Sequence, residues 1–224
     1  MEYPYFLQNS SFVQSPIFGA QIRGTPLVVS MDDEDGLFKN FNAEDQSFLQ
    51  NHLTILTKQS DTNASLSGYL ESRRIMLLQK NCLEMIKSER YYHLGLDISV
   101  EADTTIFTPL PATVVMNVYE EGNGQYGGMV VLKHELKDHT VFYSVYGHLH
   151  YEETLKLGTK LTGGQAFARI GTYEENGQWF THLHLQVLTE RGYKEGWVHK
   201  GYCTKNDLVS IRKLCPDPSF LLCY

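Results

Sequence analysis

Two histidines, His182 and His184, lie two positions apart in the run Thr-His-Leu-His-Leu-Gln-Val. If this run is a β-strand, alternate residues point to the same face, so both imidazoles project from one side and the leucines from the other. Paired imidazoles on one face of a sheet suit a metal site, since histidine is a common metal ligand. The pattern alone fits a pair of hydrogen-bonded strand histidines equally well.

A second group of candidate ligands lies in the segment His93-Leu94-Gly95-Leu96-Asp97. On an extended chain His93 and Asp97 share a face, and Gly95 lets the backbone bend or another strand approach closely. Imidazole and carboxylate both bind zinc at about 2.0–2.2 Å, and two histidines with one carboxylate leave a coordination position for water. The sequence therefore predicts a metal site that joins this segment to the later histidine pair.

A third candidate, His148, ends the aromatic run Tyr146-Gly147-His148-Leu149 and is followed by polar residues. A histidine where a strand meets a loop is well placed for a functional site. An isolated strand histidine is more often a hydrogen-bonded core or surface residue. The combination of separate β segments, each carrying such residues, favours the metal interpretation.

The residues that position these histidines have β character. From 91 to 187 the chain is rich in β-branched and aromatic residues, with glycine, proline and asparagine at intervals. Short strands at this spacing predict a mostly antiparallel β domain. The candidate strands cover 96–100, 104–107, 113–119, 129–134, 140–148, 166–170 and 182–188.

Helices are expected before this region. Apolar residues from Phe48 to Leu56 recur at steps of one, three and four, as on the buried side of a helix. A weaker pattern covers 65–88, part of which fits an extended chain. The expected fold is α+β, mainly β with flanking helices. We predict a partly helical N-terminal region, 1–65, and a domain, 66–224, with its core at 91–188 and a C-terminal extension.

Composition excludes some function classes. The chain has 224 residues, a net charge of -7 and no stripe of Lys or Arg, so nucleic acid is a poor partner. No apolar run approaches the roughly 18 residues of a membrane span. The first residues lack the basic and apolar blocks of a secretory signal, which predicts a cytoplasmic protein, export by another route, or a missing leader. Four scattered cysteines predict reduced thiols.

Taken together, the motifs resemble the M23 metallopeptidase family, the lysostaphin-like or LytM-type peptidoglycan endopeptidases. That family carries H-x-x-x-D, then H-L after an aromatic strand, then H-L-H. The glycine-containing turn at 157–165 and the strands at 130–134 and 168–171 also agree. The resemblance covers 91–188 and implies an antiparallel LytM/lysostaphin-type core (duplicated hybrid motif-like).

Residue by residue, the resemblance implies that His93, Asp97 and His184 hold Zn²⁺. His148 and His182 would flank the open coordination position. One would take a proton from water as general base, and the other would stabilise the oxyanion or protonate the leaving amine. The resemblance does not say which histidine takes which part.

Two aromatic residues are weaker candidates for substrate binding. Tyr146 would share a strand face with His148 and donate to the oxyanion, although a structural role in the core is favoured. Trp179 either lines the groove or packs under its loop.

A longer resemblance is to the M23-like segment of large fusion proteins that contain kinase-like and aminotransferase modules. It rests on Gly68-Tyr69-Leu70-Glu71-Ser72-Arg73, on the run at 174–184 and on Cys215-Pro216-Asp217-Pro218. It extends the likeness to 68–222. This longer likeness does not imply a cell-wall substrate.

The resulting expectation is a zinc metallopeptidase that cleaves peptide amide bonds, glycine-containing or in peptidoglycan cross-links. Two alternatives stay open: a binding or regulatory module that keeps the fold without turnover, and a zinc hydrolase of a small cytoplasmic metabolite. Because all five site positions are filled, the enzyme is favoured. The N-terminal region, 1–65, is expected to cover the groove, as in latent members of the family. The sequence does not predict the oligomeric state.

Overall fold

The computed structural model describes residues 12–34, 36 and 45–223. The strands are β1 (Leu27–Val28), β2 (Ser65–Ser67), β3 (Tyr92–His93), β4 (Leu96–Ser99), β5 (Thr105–Phe107), β6 (Ala112–Glu120), β7 (Gly127–Glu135), β8 (Val141–Leu149), β9 (Lys160–Leu161), β10 (Ala166–Arg169), β11 (His182–Thr189) and β12 (Tyr202–Cys203). The α-helices are α1 (Gln46–Gln59), α2 (Arg74–Gln79), α3 (Leu83–Lys87) and α4 (Glu190–Lys194). Short 3-10 helices cover Trp197–His199, Lys205–Val209, Ile211–Lys213 and Pro218–Leu221.

One eight-stranded sheet organises the described residues, in the order β1-β2-β4-β11-β8-β7-β6-β9. All its neighbouring strands are antiparallel except β1 and β2, which are parallel. Two small antiparallel sheets, β5 with β10 and β3 with β12, flank it. The predicted fold class, mainly antiparallel β with flanking helices, is confirmed.

The predicted elements are largely confirmed. Each of the seven predicted strands overlaps an observed strand, with ends that differ by one or two residues. The helical pattern from Phe48 to Leu56 lies within α1. The weaker pattern over 65–88 divides into β2, α2 and α3, so its first part is extended. Asn81, with φ 56°, directly follows the C-cap of α2 and separates it from α3.

Helix α1 packs beside the loop that leads into β11. Its N-cap, Asp45, accepts a hydrogen bond from the Phe48 N–H at 2.9 Å. Leu49 and Leu53 are buried in a cluster that also contains Trp179. Elements of the predicted N-terminal region thus contact the β domain, and the division at residue 65 stays a prediction.

Strand β11 separates a purely apolar side from a polar one. Leu183, Leu185 and Val187 belong to the main apolar cluster. The alternate residues His182, His184 and Gln186 are also buried, but on the other face. The central strand therefore carries the predicted histidine pair on one face, as the spacing indicated.

Candidate functional site

Three of the predicted residues converge on one point. His93 Nε2 lies 2.9 Å from His184 Nδ1 and 3.3 Å from Asp97 Oδ1, and His184 Nδ1 lies 3.1 Å from the same Oδ1. All three side chains are at least 95% buried. Around a tetrahedral zinc ion with bonds of about 2.0–2.1 Å, ligand atoms are about 3.3–3.4 Å apart. The donor atoms therefore already have nearly the spacing that zinc requires.

Strand register and one glycine create this convergence. His184 on β11 is directly opposite Asp97 on β4. A side chain at Gly95 would place its Cβ 2.6 Å from the Leu185 oxygen and 2.7 Å from His184 Cε1. Because real Cβ contacts are not this short, only glycine lets β11 approach the segment that carries His93. The close approach proposed for Gly95 is confirmed.

The outer nitrogen of each ligand histidine is hydrogen-bonded. His93 Nδ1 lies 3.1 Å from the carbonyl oxygen of Gly68, and His184 Nε2 lies 3.1 Å from Oε1 of Gln186. Since these oxygens only accept, the nitrogens facing them carry the hydrogens. The inner nitrogens are left free to bind an ion, which is how ligand histidines are usually held. The donor set therefore fits a metal such as zinc in both spacing and protonation.

The two oxygens of Asp97 have different surroundings. Oδ1 faces the histidines, whereas Oδ2 accepts a hydrogen bond from Arg73 Nη1 at 2.5 Å. Burial raises the pKa of Asp97, but the adjacent His93 and Arg73 lower it more, and the net pKa is well below the ordinary value. Burial, together with the positive charge of Arg73, lowers the pKa of His93 to about 3. Both residues are therefore deprotonated near neutral pH.

His148 and His182 lie beside this group. His148 Nδ1 donates to the Asn176 carbonyl and His182 Nδ1 to the Phe180 carbonyl, both at 2.8 Å. The ring centroids are 4.3 Å apart, and His182 Nε2 lies 3.7 Å from Asp97 Oδ1. Burial lowers the pKa of both imidazoles. Each ring is therefore neutral near pH 7, with Nε2 able to accept a proton.

The backbone at the end of β8 corrects one expectation, the placing of Tyr146. His148 has φ 64°, in the left-handed region, and the β7–β8 register shifts nearby. This interrupts the alternation of the strand, so Tyr146 and His148 do not share a face. Tyr146 is fully buried in the main apolar cluster, with its hydroxyl 3.2 Å from Ser144 Oγ. Its place is structural, away from the site.

A narrow cavity of about 50 Å³ opens above the histidines. Met76 from α2 and Met85 from α3 form one wall, and Trp179 contributes an aromatic surface. Trp179 is 4% exposed and also packs in the cluster under α1, so both interpretations of this residue describe its position. Glu84 and Glu120 add carboxylates to the lining.

Three residues at the site had not been singled out from the sequence. Gln186 was detectable, because it continues the alternation of the histidine pair. Arg73 had no signal of its own beyond the Gly68–Arg73 motif. Tyr126 lies with its ring centroid 5.3 Å from that of His184, and its buried hydroxyl has no hydrogen-bond partner among the described residues.

The predicted groove-covering segment is not visible in the described part of the N-terminal region. Among 12–34, 36 and 45–65, no residue lines the cavity. Covering of the groove by region 1–65 remains a prediction. In the part of the chain that the structure describes, no helix has the length and apolarity needed to traverse a bilayer.

Comparisons with known proteins place this site in a family context. Residues 91–195 match the model of peptidase family M23. The matched region contains all five predicted metal-binding and catalytic residues and confirms the M23 resemblance over this part of the chain. The longer resemblance to the fusion-protein segment stays a prediction. A comparison with curated protein sequences found no match.

Several solved structures are similar to part of the chain. The catalytic domain of lysostaphin from Staphylococcus simulans is 18% identical over 53% of this chain and 80% of its own, with a TM-score of 0.39. A mutant catalytic domain of the prophage-encoded M23 protein EnpA from Enterococcus faecalis is 19% identical over 51% and 77%, with a TM-score of 0.38. A zinc-containing peptidase from Vibrio cholerae is 23% identical over 44% of this chain but only 28% of its own, with a TM-score of 0.37.

Proposed function

We propose that this chain is a zinc-dependent metallopeptidase that hydrolyses peptide amide bonds with an activated water molecule. The observation that carries the proposal is the buried donor set of His93, Asp97 and His184, whose ligand atoms are 2.9–3.3 Å apart. The family match at 91–195 supports it, since members of that family are zinc metallopeptidases.

The metal would be held by His93 Nε2, Asp97 Oδ1 and His184 Nδ1. A bound zinc ion supplies Lewis acidity, which lowers the pKa of a water molecule towards about 7 and polarises a carbonyl group. Three protein ligands leave the fourth position to water or substrate, as in catalytic rather than structural zinc sites. The cavity above the donor set gives a substrate access to that position.

His148 and His182 carry the proton transfers. Each has its Nδ1–H fixed on a main-chain carbonyl, so Nε2 of the neutral ring accepts a proton. One imidazole removes the proton of the attacking water. The other, after receiving that proton from the first ring, would donate it to the oxyanion or to the leaving amine. Which histidine acts as the base is left open, because both rings donate Nδ1–H to a main-chain carbonyl and present Nε2 as the acceptor.

For the substrate, we propose a peptide, with glycine-containing segments and peptidoglycan cross-links as the first candidates from the family likeness. The longer resemblance to the fusion-protein segment supports testing peptides other than those of the cell wall.

The experiment combines metal analysis with hydrolysis of pentaglycine, muropeptides and a panel of small metabolites. We expect about one zinc per chain and peptide cleavage. His184→Ala should lose both the metal and the activity. His148→Asn should keep zinc and lose at least about a hundredfold in kcat, as expected for a general acid or base. Asparagine is chosen because it tolerates the left-handed backbone at residue 148.

Tyr146→Phe is the matched control, and we expect it to retain activity because the hydroxyl lies in the apolar core. Zinc binding without turnover on any substrate would favour the binding or regulatory module. Turnover of metabolites but not peptides would favour the small-molecule hydrolase. Failure of the wild-type chain to bind zinc would contradict the proposal itself.

A further inference from the structure

Arg73 is a fully buried guanidinium directly behind the metal-binding group. Its Nη1 donates to Asp97 Oδ2 at 2.5 Å, and its Nη2 to Glu71 Oε2 at 3.0 Å and to Ser67 Oγ at 3.2 Å. Its Nε also contacts Glu71 Oε2, at 3.3 Å. A buried charge is tolerated only when it is paired and hydrogen-bonded. The two acidic partners here are Glu71, two residues before Arg73, and Asp97 on β4.

The segment of residues 67–73, which we call the outer clamp, also holds His93. His93 Nδ1 donates to the Gly68 carbonyl at 3.1 Å, and the His93 backbone N–H donates to the Glu71 carbonyl at 3.0 Å. The Leu70 N–H donates in turn to the His93 carbonyl at 2.7 Å, with Leu70 at φ 60°. The outer clamp therefore positions two of the three candidate ligands at once.

Residues 31–33 fix the outer clamp from behind. Asp33 accepts hydrogen bonds from the backbone N–H groups of Arg74 and Ile75, at 3.0 and 2.7 Å. Asp32 accepts from the Ser72 N–H at 2.8 Å, and Glu71 accepts from the Met31 N–H at 3.3 Å. These hydrogen bonds hold the outer clamp in place, so the guanidinium has little freedom to move away from Asp97.

We propose that Arg73 is a positioning residue of the metal centre, which keeps Asp97 a one-oxygen ligand by occupying Oδ2. This inference rests on the proposed zinc site. With Oδ2 engaged by Arg73, only Oδ1 is directed at the ion, and the remaining coordination position stays available to water. Without Arg73, Oδ2 is free to bind the ion as well and to fill that position.

The same arrangement implies that Arg73 weakens metal affinity. A positive charge held one carboxylate away repels a dication. For a guanidinium roughly 5–6 Å from the ion and an effective dielectric constant near 20, this repulsion lowers the affinity for the ion by more than about a hundredfold. Losing an outer-shell hydrogen bond to a ligand costs about 10–100-fold. The repulsion therefore outweighs the positioning term, and removal of the guanidinium should tighten zinc binding.

The test compares wild type with Arg73→Met and with Arg169→Met. Arg169 also pairs with an aspartate, Asp103, but on the surface, so its variant is the matched control. Zinc affinity is measured by competition with a chromophoric chelator, and coordination number from the visible spectrum of the cobalt-loaded protein. For Arg73→Met we expect zinc affinity at least tenfold higher and weaker cobalt absorption, because the freed oxygen adds a ligand. Arg169→Met should match wild type in both measurements.

Glu71→Gln provides a second variant, for which the expected change in zinc affinity has the opposite sign. It leaves Arg73 in place but removes one of its two negative partners, so zinc should bind about tenfold more weakly. If Arg73→Met folds only when zinc is present, the inference is also supported, because the ion then replaces the guanidinium as counterion of Asp97.

Three results would overturn the inference: an unchanged or weaker zinc affinity in Arg73→Met, an unchanged cobalt spectrum, or, where that variant does not fold at all, an unchanged affinity in Glu71→Gln. A wild-type chain that binds neither zinc nor cobalt would instead refute the proposed function.

Discussion

Gln186 is the hydrogen-bond partner of the third candidate ligand, His184. Its Oε1 accepts the hydrogen of His184 Nε2 at 3.1 Å. Its own amide nitrogen lies 3.4 Å from the Trp197 carbonyl oxygen and 3.9 Å from Cys215 Sγ, which orients the amide group. The tautomer of His184, and hence the availability of Nδ1, therefore depends on a residue that is not itself a candidate ligand.

Replacing Gln186 by leucine should weaken metal binding. The variant leaves the buried His184 Nε2–H without an acceptor and no longer fixes the ring. We expect zinc affinity to fall by about 10–100-fold, as for other outer-shell partners. Chelator competition measures it, with Gln186→Glu as the control that keeps an acceptor oxygen. Equal affinities in Gln186→Leu and wild type would show that the amide has no such role.

Individual residues were predictable to different degrees. The convergence of His93, Asp97 and His184 was predictable because strand periodicity and motif spacing are local properties of the sequence. Arg73 was not, because its contact with Asp97 depends on how a turn folds back against β4, which no spacing encodes. For Tyr146 the favoured structural role agrees with its burial, but the predicted shared face with His148 was wrong, because the left-handed backbone of His148 interrupts the alternation.

Among the elements, α1 supports the loop that precedes the histidine pair. Gln46 Oε1 accepts the Phe180 N–H at 2.6 Å, and Gln50 Oε1 accepts the Thr181 N–H at 2.7 Å. The Phe180 carbonyl is in turn the acceptor for His182 Nδ1. Two glutamine side chains of the helix therefore hold the main chain of the loop that leads to His182, although no side chain of the helix lines the cavity.

Gln46→Leu should reduce the stability of the protein. The substitution leaves the buried Phe180 N–H without its acceptor, which costs about 1–3 kcal/mol in the free energy of unfolding. Urea denaturation measures this, and Gln59→Leu at the exposed end of the same helix is the control. If both variants lost the same stability, the hydrogen bond would not account for the effect.

At the level of elements, the strands of the β domain were predictable because β-branched runs and turn residues mark them directly. The stretch at 65–88 was harder. Its helices are short, six and five residues, and their boundaries depend on tertiary contacts such as the Asp33 carboxylate at the start of α2. Packing rather than local propensity decides such short helices.

For the whole molecule, buried histidines make stability depend on pH. His134 lies in the sheet away from the cavity, with Nε2 2.7 Å from Ser144 Oγ and Nδ1 3.1 Å from the Pro111 carbonyl oxygen. Burial lowers its pKa to about 4. Below about pH 6.5 the unfolded chain binds a proton at this residue, while the folded protein does not until about pH 4. Stability is therefore complete above pH 6.5 and is lost as the pH falls.

Acidification from pH 6.5 to 5 should cost about 1–2 kcal/mol of stability through His134 alone. In His134→Gln this component disappears, so the unfolding free energy should depend less steeply on pH. His139→Gln, at a residue with 89% side-chain exposure, should keep the wild-type slope. Denaturation across this pH range gives the three slopes. Equal slopes for wild type and His134→Gln would contradict the assignment.

Different elements supply the candidate ligands and the facing wall of the cavity. The candidate ligands lie on β3, β4 and β11, whereas the facing wall comes from α2, α3 and the turn between β6 and β7. Met85 is a partly buried wall residue with no hydrogen bond to the candidate ligands, whereas Met76 is packed in the core beside Trp179 and Tyr202. Substitution of Met85 is therefore the direct way to alter this wall while leaving the candidate donor atoms in place.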